Sequence, residues 1–370
     1  MTRNKEKIVI CGHYGASNIG DEAILQAMVQ NLKEIKPDAE LTVLGHNPQN
    51  IKEIHGIDAN YLIPMGLRSL FRGIFKGELW RTLRIIKNSD KFILGGGGLF
   101  TDEKIFAIFL WGIHAFFALK YKKPLYMLGQ SIGPLRSKIG KWIVKKAFIK
   151  AKLIYVRDSA SKELLEKLGI NQEIHVAPDL VFSLNLHESN KDQELFKKIE
   201  QEGLRGYFCV NLRDWSKEMD LLYKNIEQVV STIVEKYRLL PVLIPFQIID
   251  QDDSALLRKL VAQNNPKYPL LIQKFEQNPK KLLSLISGAK INLGMRLHFN
   301  IFSIITRTPF LALSYSPKID NLLKDLKLND YLAKDFNKGA LLKQIDQIID
   351  KELPQVENSR NAILSIFRKI

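Results

Sequence analysis

Short apolar runs alternate with helical patterns along the whole chain, and the cycle runs through twice. KIVICG, ELTVLG, KFILGGGG, PLYMLGQ, LIYVR and EIHVAPD read as strands. Their near-continuous hydrophobicity is that of strands buried on both faces. Helical patterns lie between them at 21–35, 105–119, 138–150 and 159–168. Residues 184–205 then turn polar and charged. Beyond them YFCVNLR, PVLIPFQ, PLLIQKF, KINLGM and PFLALSY alternate with helical patterns at 218–237, 252–263, 279–288, 298–306, 318–326 and 339–351. Such alternation marks parallel sheets covered by helices. It predicts an α/β chain of two Rossmann-like, doubly wound domains facing one another across a cleft, over 1–185 and 186–355. A terminal helix within 356–370 is expected to cross back onto the first domain. Ligands of such sheets lie outside the carboxyl ends of the strands, so function is sought in the loops there.

Bulk properties narrow the class. Two cysteines, Cys11 and Cys209, sit inside apolar runs and read as buried strand thiols of a reducing compartment, with no disulfide framework. No CxxC or clustered Cys/His set suggests a metal, and none is expected. The start, MTRNKEKIVI, lacks the apolar core of a signal peptide. The longest apolar stretch, Ile105 to Leu119, is shorter than the ~20 residues that cross a bilayer and reads as a buried helix. A cytoplasmic protein is expected.

Net charge is +16, and two segments concentrate the excess. Residues 66–87 carry six basic residues and one acidic; residues 136–152 carry seven basic and no acidic ones. Both mix cations with Trp, Phe, Ile and Leu at helical spacing. That is the pattern of a helix lying on an anionic membrane face, or of a surface helix whose apolar stripe packs on the core. No nucleic-acid motif accompanies the charge, and no nucleic-acid partner is expected.

Three loops of the first half are rich in glycine. Gly12 to Glu22 (GHYGASNIGDE) links the first strand to its helix but fits neither a dinucleotide fingerprint nor a P-loop, because Asp21 and Glu22 stand where Lys and Ser/Thr should follow. Carboxylates at a helix start repel phosphate. Asn18 and Asp21 suit neutral sugar hydroxyls, or cap the helix. Gly95–Gly98 and Gly129–Gly133 follow two further strands, and with Gly97 and Gln130 they form a polar, glycine-rich rim. The second half is cationic at its strand ends. In an extended segment Arg296 and His298 would face the same side. Ser316 is suited to cap a helix with Pro317 at its first position, which sets Lys318 beside unpaired N–H groups. Arg213 leaves another strand, and Arg157 ends LIYVR. Fixed cations with one imidazole suit a small substrate carrying phosphate and carboxylate.

Taken in order, GHYGASNIGDEAIL, GGGGLFTD, GQSIGPL, YVRDSAS, VAPDL, GMRLH and SYSPK resemble the polysaccharide pyruvyl transferase family, nearest its CsaB-type cell-wall members. The resemblance implies a glycosyltransferase-B-like fold and transfer of pyruvate from phosphoenolpyruvate to a sugar as a ketal. It implies an N-acetylmannosamine acceptor in a lipid-diphosphate-linked precursor, so the enzyme would work at the inner face of the plasma membrane as a peripheral protein. Phosphoenolpyruvate is then a co-substrate, and no cofactor is implied. Arg296, His298 and Lys318 fall on phosphoenolpyruvate-binding or catalytic positions; Arg213 and Arg157 are looser matches. VAPDL departs from the family's order, and Asp179 is given no chemistry. Asn18, Asp21, Gly97 and Gln130 would position the sugar. Two other functions fit the same architecture: a glycosyltransferase using a nucleotide sugar, and a glycan-binding relative without turnover. The sequence leaves oligomeric state open.

Overall fold

Strands that are apolar on both faces need helices on both faces, and in parallel sheets the crossover helices supply them. The computed structural model describes residues 5–102, 105–185, 193–215, 220–249, 252–264, 266–333, 335–354, 356 and 359–370. By its internal contacts the chain divides into two units: Met1–Ala16, Asp21–Leu184 and Asn358–Ile370, and Ser17–Gly20 with Asn185–Glu357. The middle of the polar junction expected from the sequence, 186–192, lies outside the described residues.

Among the described residues the first unit holds seven parallel strands: β1 (Lys7–Cys11), β2 (Glu40–Gly45), β3 (Asp58–Tyr61), β4 (Lys91–Phe100), β5 (Leu125–Ile132), β6 (Leu153–Val156) and β7 (Ile174–Val176). Their spatial order is β3-β2-β1-β4-β5-β6-β7, so the order reverses between β1 and β4. Cys11 pairs with Leu44 on one side and Leu94 on the other. The helices are α1 (Ile19–Ile35), α2 (Pro48–His55), α3 (Leu67–Phe75), α4 (Glu78–Asn88), α5 (Ile105–Lys120), α6 (Lys138–Phe148) and α7 (Ser159–Lys167). Phe92, Leu94, Trp111, Met127 and Phe148 belong to the core between sheet and helices. The basic segment 66–87 is two helices rather than one, broken at Gly77, whose φ of 72° suits glycine.

The second unit has β8 (Gly206–Asn211), β9 (Leu239–Leu243), β10 (Leu271–Ile272), β11 (Asn292–Gly294) and β12 (Phe310–Ala312). They form a parallel sheet in the order β10-β9-β8-β11-β12, reversing between β8 and β11. Its helices are α8 (Gln193–Gln201), α9 (Asp220–Tyr237), α10 (Asp253–Asn264), α11 (Pro279–Ser287), α12 (Leu297–Ile305), α13 (Pro317–Asp325) and α14 (Lys338–Ile348). The last helix, α15 (Ser359–Phe367), returns to the first unit and packs on the 3-10 turn Leu180–Ser183. Cys11 and Cys209 are buried free thiols, and burial raises both above the ordinary thiol range.

Candidate active site

The reversal point of a doubly wound sheet opens a crevice at the carboxyl ends of its strands. In the second unit three strand ends there lie in register: Gly294 pairs with Asn211 of β8 and with Ala312 of β12. Met295 N donates to Asn211 O (3.0 Å), and Leu313 N to Gly294 O (2.8 Å). Arg213, the Arg296–His298 turn and the Ser314–Lys318 segment therefore leave one edge of one sheet.

The expected alternation of Arg296 and His298 along a strand is corrected. β11 stops at Gly294, Arg296 is the N-cap of α12, and His298 stands in its first turn. The Arg296 side chain is 9% exposed and turned inward. Its Nε and Nη2 donate to Asp253 Oδ2 (3.1 Å) and Oδ1 (2.5 Å), and its Nη1 donates to Gln247 Oε1 (2.9 Å). Asp253 Oδ2 also accepts from the backbone N–H of Phe246 (3.0 Å) and Gln247 (3.2 Å). Burial raises the Asp253 carboxyl from its ordinary value, and Arg296 and those N–H groups pull it back. The backbone N of Arg296 donates to Asn211 Oδ1 (3.0 Å), and Asn211 Nδ2 donates to Ile244 O (2.8 Å). Arg296 thus joins β8, β9 and the start of α10 to the turn that carries His298. Its charge is balanced by a carboxylate 43 residues away in the chain.

His298 is half-buried and backed by the glycine of the NIGDE loop. A β-carbon on Gly20 would stand 2.0 Å from His298 Nδ1. The loop is fixed by Ile19 N donating to Phe246 O (3.1 Å), by an antiparallel bridge between Asn18 and Gln247, and by Asn18 Oδ1 accepting from Gly20 N (2.9 Å). A motif from the beginning of the sequence therefore sets one wall for an imidazole near its end.

Ser316 caps α13 by accepting from Lys318 N (3.4 Å), with Pro317 at the first helical position, so Lys318 stands in the first turn as the sequence predicts. Arg213 Nη1 donates to Tyr315 OH (2.5 Å), and its guanidinium lies 4.6 Å from the Trp215 ring centre and 5.0 Å from that of Tyr315. Two aromatic faces hold the planar cation at the edge where His298 emerges.

The first unit has its own reversal point between β1 and β4, where the glycine loops lie. His13 Nδ1 and Asp21 Oδ2 are 3.1 Å apart, and the His13 ring meets that of His46 edge-on at 4.6 Å. Glu22 is buried, accepting from Gly15 N (2.7 Å) and pairing with His55 Nε2 (2.9 Å). The glycine rim has two tasks. β-Carbons at Gly95 and Gly96 would strike Met28 and Ile24 of α1, so those positions serve helix packing. One at Gly97 would lie 3.2 Å from Asp21 Oδ1, beside the carboxylate expected to meet sugar. Gln130 departs from its expected place on the rim: its side chain is wholly buried and donates to Leu94 O (2.8 Å). Arg157 also departs from expectation. Its guanidinium is buried against Asp179 (2.6 Å) in the first unit, where the carboxylate balances its charge.

Asp253, His13 and Tyr315 went unread in the sequence. A carboxylate starting the helix just after β9 was the available sign for Asp253, and the GHYG and SYSPK motifs for the other two. Among the described residues, no three His, Cys, Asp or Glu side chains group as a metal site would.

The family model for polysaccharide pyruvyl transferase matches residues 18–317. The amylovoran biosynthesis protein AmsJ of Erwinia amylovora is 25% identical over 392 aligned positions, covering 93% of this chain and 92% of that protein. Among solved structures, the UDP-GlcNAc 2-epimerase of Methanocaldococcus jannaschii superposes with a TM-score of 0.66 at 16% identity, over 98% of each chain. Alr3699/HepE of Anabaena, solved with UDP and glucose, gives 0.62 at 14% identity, over 98% of this chain and 95% of that one. At such identities these structures establish the fold alone, the glycosyltransferase-B-like one of two parallel α/β units. The family match spans the NIGDE loop, the GMRLH turn and the approach to Lys318, and the chain belongs to the polysaccharide pyruvyl transferase family of pyruvyltransferases.

Proposed function

We propose that the donor is phosphoenolpyruvate and the acceptor an N-acetylmannosamine unit of a lipid-diphosphate-linked cell-wall precursor. The observation that carries this reading is the departure of Arg213, His298 and Lys318 from one edge of the second sheet, with the amino terminus of α13. A phosphate and a carboxylate on three carbons call for such cations. In the proposed reaction His298 delivers a proton to the methylene carbon, and one sugar hydroxyl attacks the adjacent carbon, its proton returning to the imidazole. Phosphate leaves with the electron pair of its C–O bond, Lys318 balancing the charge that builds there. A second hydroxyl closes the ketal, its proton passing to base. Arg213 holds the carboxylate. Arg296 acts through position, fixing the turn that bears His298. Asn18, Asp21 with His13, and the space over Gly97 are assigned to the acceptor.

The polysaccharide pyruvyl transferase family match, with a relative named for amylovoran biosynthesis, supports a glycan acceptor. A lipid-linked acceptor calls for a peripheral enzyme at the inner membrane face; no helix among the described residues is long and apolar enough to cross a membrane. The test is mass spectrometry of lipid-linked disaccharides ending in N-acetylmannosamine after incubation with phosphoenolpyruvate. Ketal and phosphate formed in equal amounts support the reading. Product from a nucleotide sugar, with none from phosphoenolpyruvate, overturns it.

A further inference from the structure

The first unit leaves large apolar side chains in water along one continuous layer of helices. α3 packs on α4, α4 on α5, and α5 on α6. The inward sides of α4 to α6 meet the core through Leu79, Leu83, Leu110, Phe117 and Ile143. The outward sides are not polar. Phe75 is 85% exposed, Trp80 59%, Phe116 56% and Trp142 57%. On α5, Phe106, Phe109 and Phe116 follow at three and seven residues, one stripe of the helix, and all are exposed. Ile139, Trp142 and Ile149 repeat that spacing on and just past α6. Isolated exposed apolar residues need no explanation, but stripes on adjoining helices mark an interaction surface.

Cations are interleaved with these stripes. Lys76, Arg84, Lys141, Lys145 and Lys146 are all exposed. No Asp or Glu occurs from Ile105 to Arg157, and Glu78 is the one acidic residue of α3 and α4. A second copy of this chain would press like charges together, which costs several kcal/mol. Aromatic and aliphatic side chains among lysines, with scarcely a carboxylate, match instead a bilayer carrying anionic headgroups.

We infer that the α3–α6 layer is a membrane-docking face, with its aromatic side chains inserted at the headgroup level and its lysines on anionic lipid. Its purpose rests on the proposed lipid-linked acceptor; its test does not. The full chain is sedimented with vesicles of phosphatidylcholine alone, or with 30% phosphatidylglycerol (~30 mol%, a composition rich enough to attract polybasic surfaces). The parent is compared with a Phe75→Ser/Trp80→Ser/Trp142→Ser variant and with Lys141→Ser/Lys145→Ser. All substituted residues are exposed, and thermal melts check the fold. Capture by anionic vesicles alone is expected, with a loss of about fivefold in partitioning per lysine and of roughly tenfold or more for the aromatic variant. Equal capture by neutral and anionic vesicles, capture unchanged in both variants, or a dimer abolished by the aromatic variant would each overturn the inference. Turnover on a water-soluble acceptor is followed in parallel. Ketal formation without vesicle binding defeats the docking face and spares the activity; vesicle binding without ketal does the reverse.

Discussion

Replacing Gly20 with alanine separates stability from catalysis. Gly20 lies in the first turn of α1, where alanine is the better helix former by about 0.5–1 kcal/mol, and its φ is not in the left-handed region. That gain offsets part of what crowding at the His298 ring costs, typically about 1–3 kcal/mol. The new methyl group would sit 2.0 Å from His298 Nδ1, where ordinary contact begins at 3.4 Å, so the ring must retreat by about 1.4 Å (3.4 − 2.0). Loss of position on the order of 1 Å can cost ~10²-fold in rate. Steady-state phosphate release should show kcat down about 100-fold, while stability from urea unfolding falls by no more than about 2 kcal/mol. In the Gly20→Ala/His298→Ala double variant the loss should equal that of His298→Ala alone, because both act on one group. A Gly20→Ala enzyme within threefold of the parent's kcat would show that catalysis does not depend on the His298 ring at this position (roughly a threefold change is under 1 kcal/mol).

Three other outcomes are expected. Asp253→Ala strands the Arg296 guanidinium without its counter-charge and should cost about 3–5 kcal/mol in chemical denaturation; a loss under ~1 kcal/mol would show that the pair is not desolvated. Lys318→Met should lower kcat/KM for phosphoenolpyruvate by about 10–100-fold, as loss of a hydrogen bond to a charged group does, with the melting temperature unchanged; an unaltered kcat/KM removes Lys318 from the site. His114 is fully buried, accepts from Ile63 N and contacts Leu110 O, and burial lowers its pKa to about 4. Its unfolded form takes up a proton below about pH 6.5 while the folded form does not, so its contribution falls as pH drops from about 6.5 to 4. The parent should lose about 3 kcal/mol more than His114→Asn across that window, and parallel stability curves would contradict this.

The architecture was legible because both-face burial writes itself as apolar runs, and most helices of both units fall within a few residues of their sequence patterns. The strand β3 was not, since DANY offers neither an apolar run nor alternation. Nor was the extent of β4, which continues through four glycines to Phe100, with Met28 and Ile24 of α1 packed against Gly95 and Gly96. At the site, local signals served well where the cause is local. Ser316 and Pro317 announce the start of α13, and the structure places it there. Arg296 was misread because its role depends on a long-range partner. Nothing near GMRLH reveals that Asp253 waits beneath it, and an arginine that looks like an available cation is a buried strut. The inward turn of Gln130 and Arg157 was hidden for the same reason: a polar residue at a strand end can turn toward the core as well as toward the crevice.

In the proposed reaction His298, carried on the turn between β11 and α12, protonates the methylene carbon of phosphoenolpyruvate. Turnover in D2O, read by mass spectrometry of the ketal methyl group for the parent and His298→Asn, tests it directly. One deuterium per ketal is expected for the parent, and a rate for the variant lower by about 10²–10⁴-fold. A His298→Asn enzyme that forms the same deuterated ketal within tenfold of the parent's rate (roughly 1.4 kcal/mol of barrier) would contradict it.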